Sequence, residues 1–424
     1  MSAIEAPSRR VVITGAGVVS CAGMGKQAFW EALRDGKSGV RRITRFDVSD
    51  LRAQIAGEIT DFDPLDWIEA KKAAKQGRFV HFALAAAQMA LEDSDLNLER
   101  EDRLSIGVAF GTSGAGNGNI ADDHYVRWVE SEFQRVDPTG INEIPAHAAS
   151  SHISIELGLK GPQYSLSTGC VTSVLTVGQA METIRRGQAT CMVAGGSEAC
   201  LSRPIYHMLA RQRVLSTRND DPKGACRPFD KDRDGLVLGE GAAAVVLESA
   251  EHAMKRGARI YGELLGYGVN TEAYHMVISI PTGDELARCL RDAMRMGKLA
   301  PNDIDYFCAH GIGNKEYDIG DTLGIKKALG QHAYHIPVTS IKPVPGQCFG
   351  AGAAMQLAAA CMILQTETVP PTLNLVEPDE ECDLDYVPGA ARRGRIDTVA
   401  LNAHSFGGTH AALIVRRFDE RTTG

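Results

Sequence analysis

A chain of 424 residues divides, at about 150 residues per domain, into two or three units and is long enough to bury a large core. Hydrophobic residues make up 44% and charged residues 23%, but no apolar run approaches the ~20 residues needed to cross a bilayer, which excludes an integral membrane protein and implies a soluble one. With 45 Lys+Arg against 53 Asp+Glu the net charge is −8, which argues against a nucleic-acid face as the main business of the chain.

Met1 to Arg10 is polar and charged, so no secretory leader is visible and a reducing cytoplasm is the expected compartment. The ten cysteines fit it. They run from Cys21 to Cys382 without a C-x-x-C pair or a His/Cys cluster at zinc spacing, so neither a disulfide framework nor a metal site is expected.

Short β-branched runs alternate with helical stretches along the chain. Val11–Thr14, Ser105–Phe110, Cys191–Ala194, Ala242–Leu247, Val338–Ile341 and Thr398–Leu401 read as strands, an α/β pattern. Many of the 44 glycines sit where strands end, as at Gly15, Gly111–Gly118, Gly195, Gly346–Gly352 and Gly407, which gathers loops on one functional edge. A seam between two tightly packed halves is expected near Ala258, where a polar helix from Glu251 to Gly257 ends and a new strand begins. This gives units of 1–258 and 259–424.

Three motifs fail by their missing parts. Gly15-Ala16-Gly17-Val18-Val19-Ser20 lacks the third glycine of a dinucleotide fingerprint, and Asp35 falls in a turn with Gly36 instead of ending a strand. Gly36-Lys37-Ser38 lacks the leading glycine of a phosphate loop, since Glu31 stands in its place. Gly111-Thr112-Ser113-Gly114-Ala115-Gly116 reads as a loop over a pocket or a subunit contact before it reads as an anion cradle.

The two segments Ser167–Ser173 and Val344–Gly350 each open an apolar helix, to Ile184 and to Leu364, with a reactive or polar side chain just after a glycine. This is either an internal duplication or two buried helices that follow similar turns. In the first segment Cys170, behind Gly169, meets the positive end of its helix, which favours thiolate and makes a nucleophile. A strand Ile304–Ala309 delivers His310 into the polar turn Gly311-Ile312-Gly313-Asn314, and Ser340-Ile341-Lys342 through Gln347 brings a cation and an amide into a third turn. Each has a plain structural explanation alone. Together they describe a cysteine nucleophile with donors for an oxyanion.

At these residues the chain resembles the elongating β-ketoacyl-acyl-carrier-protein synthases and their type II polyketide ketosynthase relatives. The resemblance runs from Val11-Val12-Ile13-Thr14-Gly15 to Phe406-Gly407-Gly408-Thr409, by way of Arg227-Pro228-Phe229-Asp230, Gly239-Glu240-Gly241, Ala273-Tyr274-His275-Met276 and Val369-Pro370-Pro371-Thr372. It implies a thiolase fold, two pseudo-duplicated halves in a five-layer αβαβα stack, usually dimeric with the cysteine near the interface. It also implies that Cys170 is the acyl-accepting nucleophile, His310 the first active-site histidine and Lys342 the family lysine. Phe406 and Cys170 then supply the oxyanion-hole N–H groups, and His404, Ile312, Asn314 and Thr409 contact substrate. No bound cofactor is implied. The acyl chains would arrive on the phosphopantetheine arm of an acyl carrier protein.

The departures cluster around one pocket. The second family histidine is Gln347, the two hydroxyls of H-G-T-G-T are Ile312 and Asn314, and the aromatic gate residue is His404, flanked by Ala403 and Ser405. Gln347 keeps an N–H donor but cannot change charge near neutrality. The expected activity is a decarboxylative Claisen condensation in fatty-acid or polyketide synthesis. The alternative is a non-elongating acyltransferase or a partner, chain-length-type subunit beside an active ketosynthase, although the latter commonly lacks the cysteine retained here as Cys170.

Overall fold

The computed structural model describes residues 9–114, 129, 134 and 138–421. Its organising element is a mixed sheet with eleven strands among the described residues, one of them the short Gly23–Met24 beside the first; along the main path the first half supplies β1 (Val11–Ser20), β2 (Ile106–Gly111), β3 (Gln163–Tyr164), β4 (Cys191–Glu198) and β5 (Gly241–Ser249). The second five are β6 (Gly262–Thr271), β7 (Tyr306–Cys308), β8 (Val338–Thr339), β9 (Thr398–Ser405) and β10 (Thr409–Arg416). Across the sheet the order is β8-β7-β9-β10-β6-β1-β5-β4-β2-β3.

That order contains its own duplication. Within each half the strands run third, second, fourth, fifth, first, with the same two parallel pairings followed by the same two antiparallel ones. The halves join where Val11–Ile13 of β1 pairs antiparallel with Gly262–Leu264 of β6. The central strands β1, β4, β5 and β9 are buried along their whole length, which is why they read as continuous Val/Ala/Leu runs without polar alternation.

Six helices complete the layers: α1 (Arg78–Ser94), α2 (Ala148–Leu157), α3 (Thr172–Arg185), α4 (Asp284–Met296), α5 (Lys315–Leu329) and α6 (Gly352–Thr366). Helices α1 and α2 pack on the first half and α4 on the second, with α5 against α4, while α3 and α6 lie between the halves and touch each other. This is the expected five-layer stack. Helices α3 and α6 occupy the same place in each half, between its third and fourth strands, so the similarity of the two helix-opening segments is a genuine duplication. The stretch Phe349–Thr366 is apolar and long enough to span a bilayer, yet it is 83% buried as this central helix.

Close packing also explains the Gly15-Ala16-Gly17 motif. A Cβ at Gly15 would come within 2.1 Å of the Ala90 carbonyl, and one at Gly17 within 2.2 Å of that of Ala86, so both glycines let helix α1 approach β1. Asp35 caps the helix Gly25–Arg34, ahead of Gly36 at φ +64°.

Candidate active site

Cys170 lies in a single 3₁₀ turn, Gly169–Val171, that leads into α3. It is 7% exposed and opens onto a surface cleft of about 430 Å³ whose walls include Ser113, Phe349, Ser405, Phe406 and Thr409. Gly169 sits at φ +66°, and a Cβ there would be 1.9 Å from Ser405 Oγ, so only glycine fits this approach.

Below the cleft the chain buries the other candidate groups: His310, Lys342, Gln347 and His404 are each no more than 2% exposed. His310 is held by its backbone. Its N–H donates to Asn402 Oδ1 at 2.8 Å, its carbonyl accepts from Lys342 Nζ at 3.1 Å, and the next N–H, of Gly311, donates to Asp321 Oδ2 at 2.8 Å. Asn402 Nδ2 closes the ring on Asp321 Oδ1 at 2.9 Å. Both imidazole nitrogens of His310, by contrast, have no partner. A side chain fixed by its main chain and idle at both ring nitrogens is prepared to receive hydrogen bonds or protons from a ligand. Burial first, and then the charge of Lys342, push its pKa well below the ordinary histidine value, so the ring is neutral.

Asn402, Asp321 and Asp318 carry none of the motif signals read from the sequence, yet they shape the turn. Asp318 Oδ1 accepts the N–H groups of Ile312 and Gly313, and its Oδ2 accepts that of Phe229 and pairs with Arg233 Nε at 3.2 Å. Glu198 is a second unread carboxylate. Fully buried, it accepts the N–H groups of Ser113 and Gly114 from one half and of Gly350 from the other, each at 2.9 or 3.0 Å. The glycine loop at Gly111–Gly114 does cradle an anion, but that anion is the protein's own carboxylate. Ala115 and Gly116 lie outside the described residues.

Two of the residues expected to contact substrate also have structural roles. Ile312 packs in an apolar cluster with Tyr317 and Leu236, and Asn314 caps helix α5 by accepting the Tyr317 N–H at 3.3 Å; neither lines the cleft. A β-branched apolar residue and a short amide are suited to these structural duties; Ile312 is buried by its own, while Asn314 stays half-buried at the start of α5. Thr409 and Phe406 do line it, and His404 lies underneath, its ring 6.2 Å from that of His310 and 4.5 Å from that of Tyr317.

The thiol also departs from expectation. Burial pushes Cys170 up to about 12, against the opposing pull of Lys342 and of a hydrogen bond from Gln347. The resting nucleophile is therefore a thiol, and the helix start does not make it a thiolate. Among the ten cysteines, all buried and free, what sets Cys170 apart is its access to the cleft. Alkylation by iodoacetamide should fall on Cys170 alone, at a rate that rises about tenfold per pH unit from pH 7 to 10, as the thiolate fraction does below its pKa. Intact-mass kinetics check this; a rate already level at pH 7 would mean that a neighbouring base holds the proton.

The Cys170 N–H, one of the two donors expected to bind an oxyanion, is occupied. It donates to Ser405 Oγ at 3.1 Å. A thioester oxygen must displace this hydroxyl, and a bond worth about 1 kcal/mol corresponds to roughly a fivefold barrier. Ser405→Ala should speed acylation of Cys170 by about that factor in single-turnover assays. Slower acylation would show that the hydroxyl assists instead of competing.

A duplicated five-layer stack with a cysteine at the first turn of a central helix and a backbone-clamped histidine beneath it is the framework of a thiolase-fold acyltransferase. Family models agree: residues 8–253 match the beta-ketoacyl synthase N-terminal domain and residues 261–376 its C-terminal domain. The chain is 42% identical to 3-oxoacyl-[acyl-carrier-protein] synthase 2 of Coxiella burnetii, across 96% of this chain and 99% of that one. It is 38% identical to the ketoacyl synthase alpha subunit of the tetracenomycin polyketide synthase of Streptomyces glaucescens, across 96% and 97%. Among solved structures it is similar to the ishigamide ketosynthase/chain length factor, with a TM-score of 0.91, 32% identity and coverage of 97% and 100%. A type II polyketide acyl-carrier protein in complex with its ketosynthase bound to the hexaketide gives a TM-score of 0.89, 32% identity and the same coverage. The chain belongs to the β-ketoacyl synthase family and is a condensing, acyl-transferring enzyme.

Proposed function

We propose that this chain extends an acyl group held on Cys170 by decarboxylative condensation with a malonyl unit, both groups being delivered on the phosphopantetheine arm of an acyl carrier protein. The observation that carries the reading is the pairing of a cleft-lining cysteine with a buried histidine whose ring nitrogens are both free.

In the first half-reaction Cys170 Sγ attacks the carrier thioester, the C–S bond to pantetheine breaks, and the thiol proton ends on the released pantetheine sulfur. The negative oxygen of the intermediate takes the N–H groups of Cys170 and Phe406 once Ser405 has turned away. In the second, the malonyl C–CO₂ bond breaks and its electron pair becomes an enolate, whose oxygen His310 and the Gln347 amide stabilise. The enolate carbon attacks the Cys170 thioester, the C–S bond breaks with its electron pair on sulfur, and the Cys170 thiolate takes a proton from solvent. Lys342 acts through His310, whose carbonyl it binds, and through its attraction for the charge on sulfur.

The solved relatives support a carrier-protein partner and either a homodimer or a heterodimer with a ketosynthase-like chain. A cytoplasmic location, suited to ten cysteines that are all free, belongs to the same reading. The boundary between the two family-model matches, at residues 253–261, supports two units of 1–258 and 259–424, with Cys170 in the first and His310, Lys342 and Gln347 in the second.

The test supplies the full-length enzyme, and any ketosynthase-like partner, with acyl- and malonyl-loaded carrier protein. Release of CO₂ in step with a β-ketoacyl product two carbons longer is expected. Acylation of Cys170 without CO₂ release would overturn the condensing reading in favour of the non-elongating acyltransferase or partner-subunit role.

A further inference from the structure

Strands β9 and β10 form an antiparallel hairpin in which His404 stands directly opposite His410, and residues so paired lie side by side on one face. Their imidazoles stack at 3.9 Å between centroids, tilted by 29°. Strand β6 flanks β10 on its other side, with Asn270 opposite His410, and the chain then turns so that the Glu272 N–H donates to the Gly408 carbonyl at 2.8 Å. This brings the Glu272 carboxylate up to both rings.

His410 Nε2 lies 3.0 Å, and His404 Nε2 3.5 Å, from the same oxygen, Glu272 Oε1. All three donor atoms fall within 4.8 Å of one another, and the three side chains are only 3–5% exposed. A proton on His410 accounts for the shorter contact. It leaves His404 Nε2 buried with no hydrogen-bond partner, aimed at an oxygen that already accepts from His410 and from the Ser279 hydroxyl at 2.8 Å. An unpaired buried nitrogen is costly, and one cation between the three atoms would satisfy all of them once the two stacked rings tilt further so that their in-plane lone pairs converge.

We propose that Glu272, His404 and His410 form a binding site for one divalent transition-metal ion, of which zinc suits the donor set best. Two imidazoles and a carboxylate, with a fourth position left for water, are a common zinc set, and no thiolate among them favours a softer ion. Metal–ligand bonds of about 2.0–2.1 Å set the edges of a tetrahedron at roughly 3.3 Å, and the 3.0 and 3.5 Å separations bracket that value. The support behind the carboxylate is present too. Ser279 holds Oε1, and the Ile280 N–H donates to Oε2 at 3.2 Å, so the anion is oriented by groups that are not ligands. Nothing in the linear sequence points to this site, because one histidine lies across a hairpin from the other and the glutamate comes from a distant strand end. Metal binding there does not require the condensation chemistry, although the His404 ring lies 6.2 Å from that of His310.

The test uses the full-length protein, stripped with a chelator and then titrated with Zn²⁺ against a chromophoric competitor, with Co²⁺ as the spectroscopic probe. One ion per chain is expected, with visible cobalt bands of tetrahedral intensity and a rise in Tm on adding zinc. Glu272→Gln and His410→Ala should each weaken binding about 100-fold or more and abolish the Tm response. Cys170→Ala should change neither, which separates this site from capture of metal by the active-site thiol. If the Glu272 and His410 variants fail to fold, His404→Phe, which swaps one ring for another of similar bulk, keeps the question open to measurement and should lose binding as well. Absence of saturable one-per-chain uptake, retention of uptake in His404→Phe, or loss of uptake in Cys170→Ala alone would each overturn the proposal.

Discussion

Replacing Gln347 by alanine should slow decarboxylation of malonyl-carrier protein about 100-fold, because one preorganised donor to an enolate oxygen is worth about 3 kcal/mol, and should slow acylation far less, through loss of the amide's smaller downward pull on the Cys170 pKa. The geometry makes the separation possible. Gln347 is buried beside Cys170, its side chain in hydrogen-bonding contact with the thiol, and its Oε1 has no partner to hold the amide in another direction. The Cys170 N–H and the start of α3, which also serve the acylation step, do not involve Gln347, so most of that step survives the substitution. Gln347→His adds a group that can also carry a proton, so it should keep or raise the decarboxylation rate. The measurement is CO₂ release and acyl-enzyme formation followed separately by mass spectrometry. Equal loss in both half-reactions for Gln347→Ala would mean that the amide supports the nucleophile, with no specific part in enolate formation.

The fold was largely legible because its strands are apolar along their whole length. All six of the strands that the sequence suggests reach into the sheet, Val11–Ser20 and Thr398–Ser405 running further than their β-branched cores and Val338–Thr339 ending two residues short of Ile341. Gln163–Tyr164 went unread since two residues carry no period, and Thr409–Arg416 because its start merges with the glycine turn before it. For the site, Cys170, His310, Lys342 and Gln347 were found through glycine turns that follow strands or open helices, a local signal. The groups that hold them were not. Asn402 reaches the His310 N–H from β9, Asp321 from a helix that follows, and Glu198 joins loops from both halves; such contacts exist only in three dimensions. Ionisation was misread for a related reason. A helix start is visible in sequence, whereas the burial that pushes the Cys170 thiol to about 12 is not.

His310→Ala should cost more than the change at Gln347, between about 10² and 10⁴ in condensation rate, the usual range for a positioned proton-transfer or donor group. Its backbone clamp by Asn402, Lys342 and the Asp321-bound peptide remains possible in the alanine variant, so the loss should fall on rate with little change in Tm. The charge state gives a sharper signature. The folded pKa lies well below its ordinary value of 6.5, so the ring is neutral throughout the range from pH 6 to 8, and only acid well below that range protonates it. A neutral imidazole that donates from one nitrogen to the enolate oxygen needs no titration in that window. Wild-type decarboxylation, measured as CO₂ release at saturating malonyl-carrier protein, should therefore stay level from pH 8 to pH 6 and show no acid limb near 6.5. Because Gln347 has replaced the second family histidine and cannot titrate there either, no other imidazole of the expected catalytic set would mask the result. A rate that falls tenfold per unit below pH 7 would require His310 to work from a raised pKa, and would overturn the assignment of a permanently neutral donor.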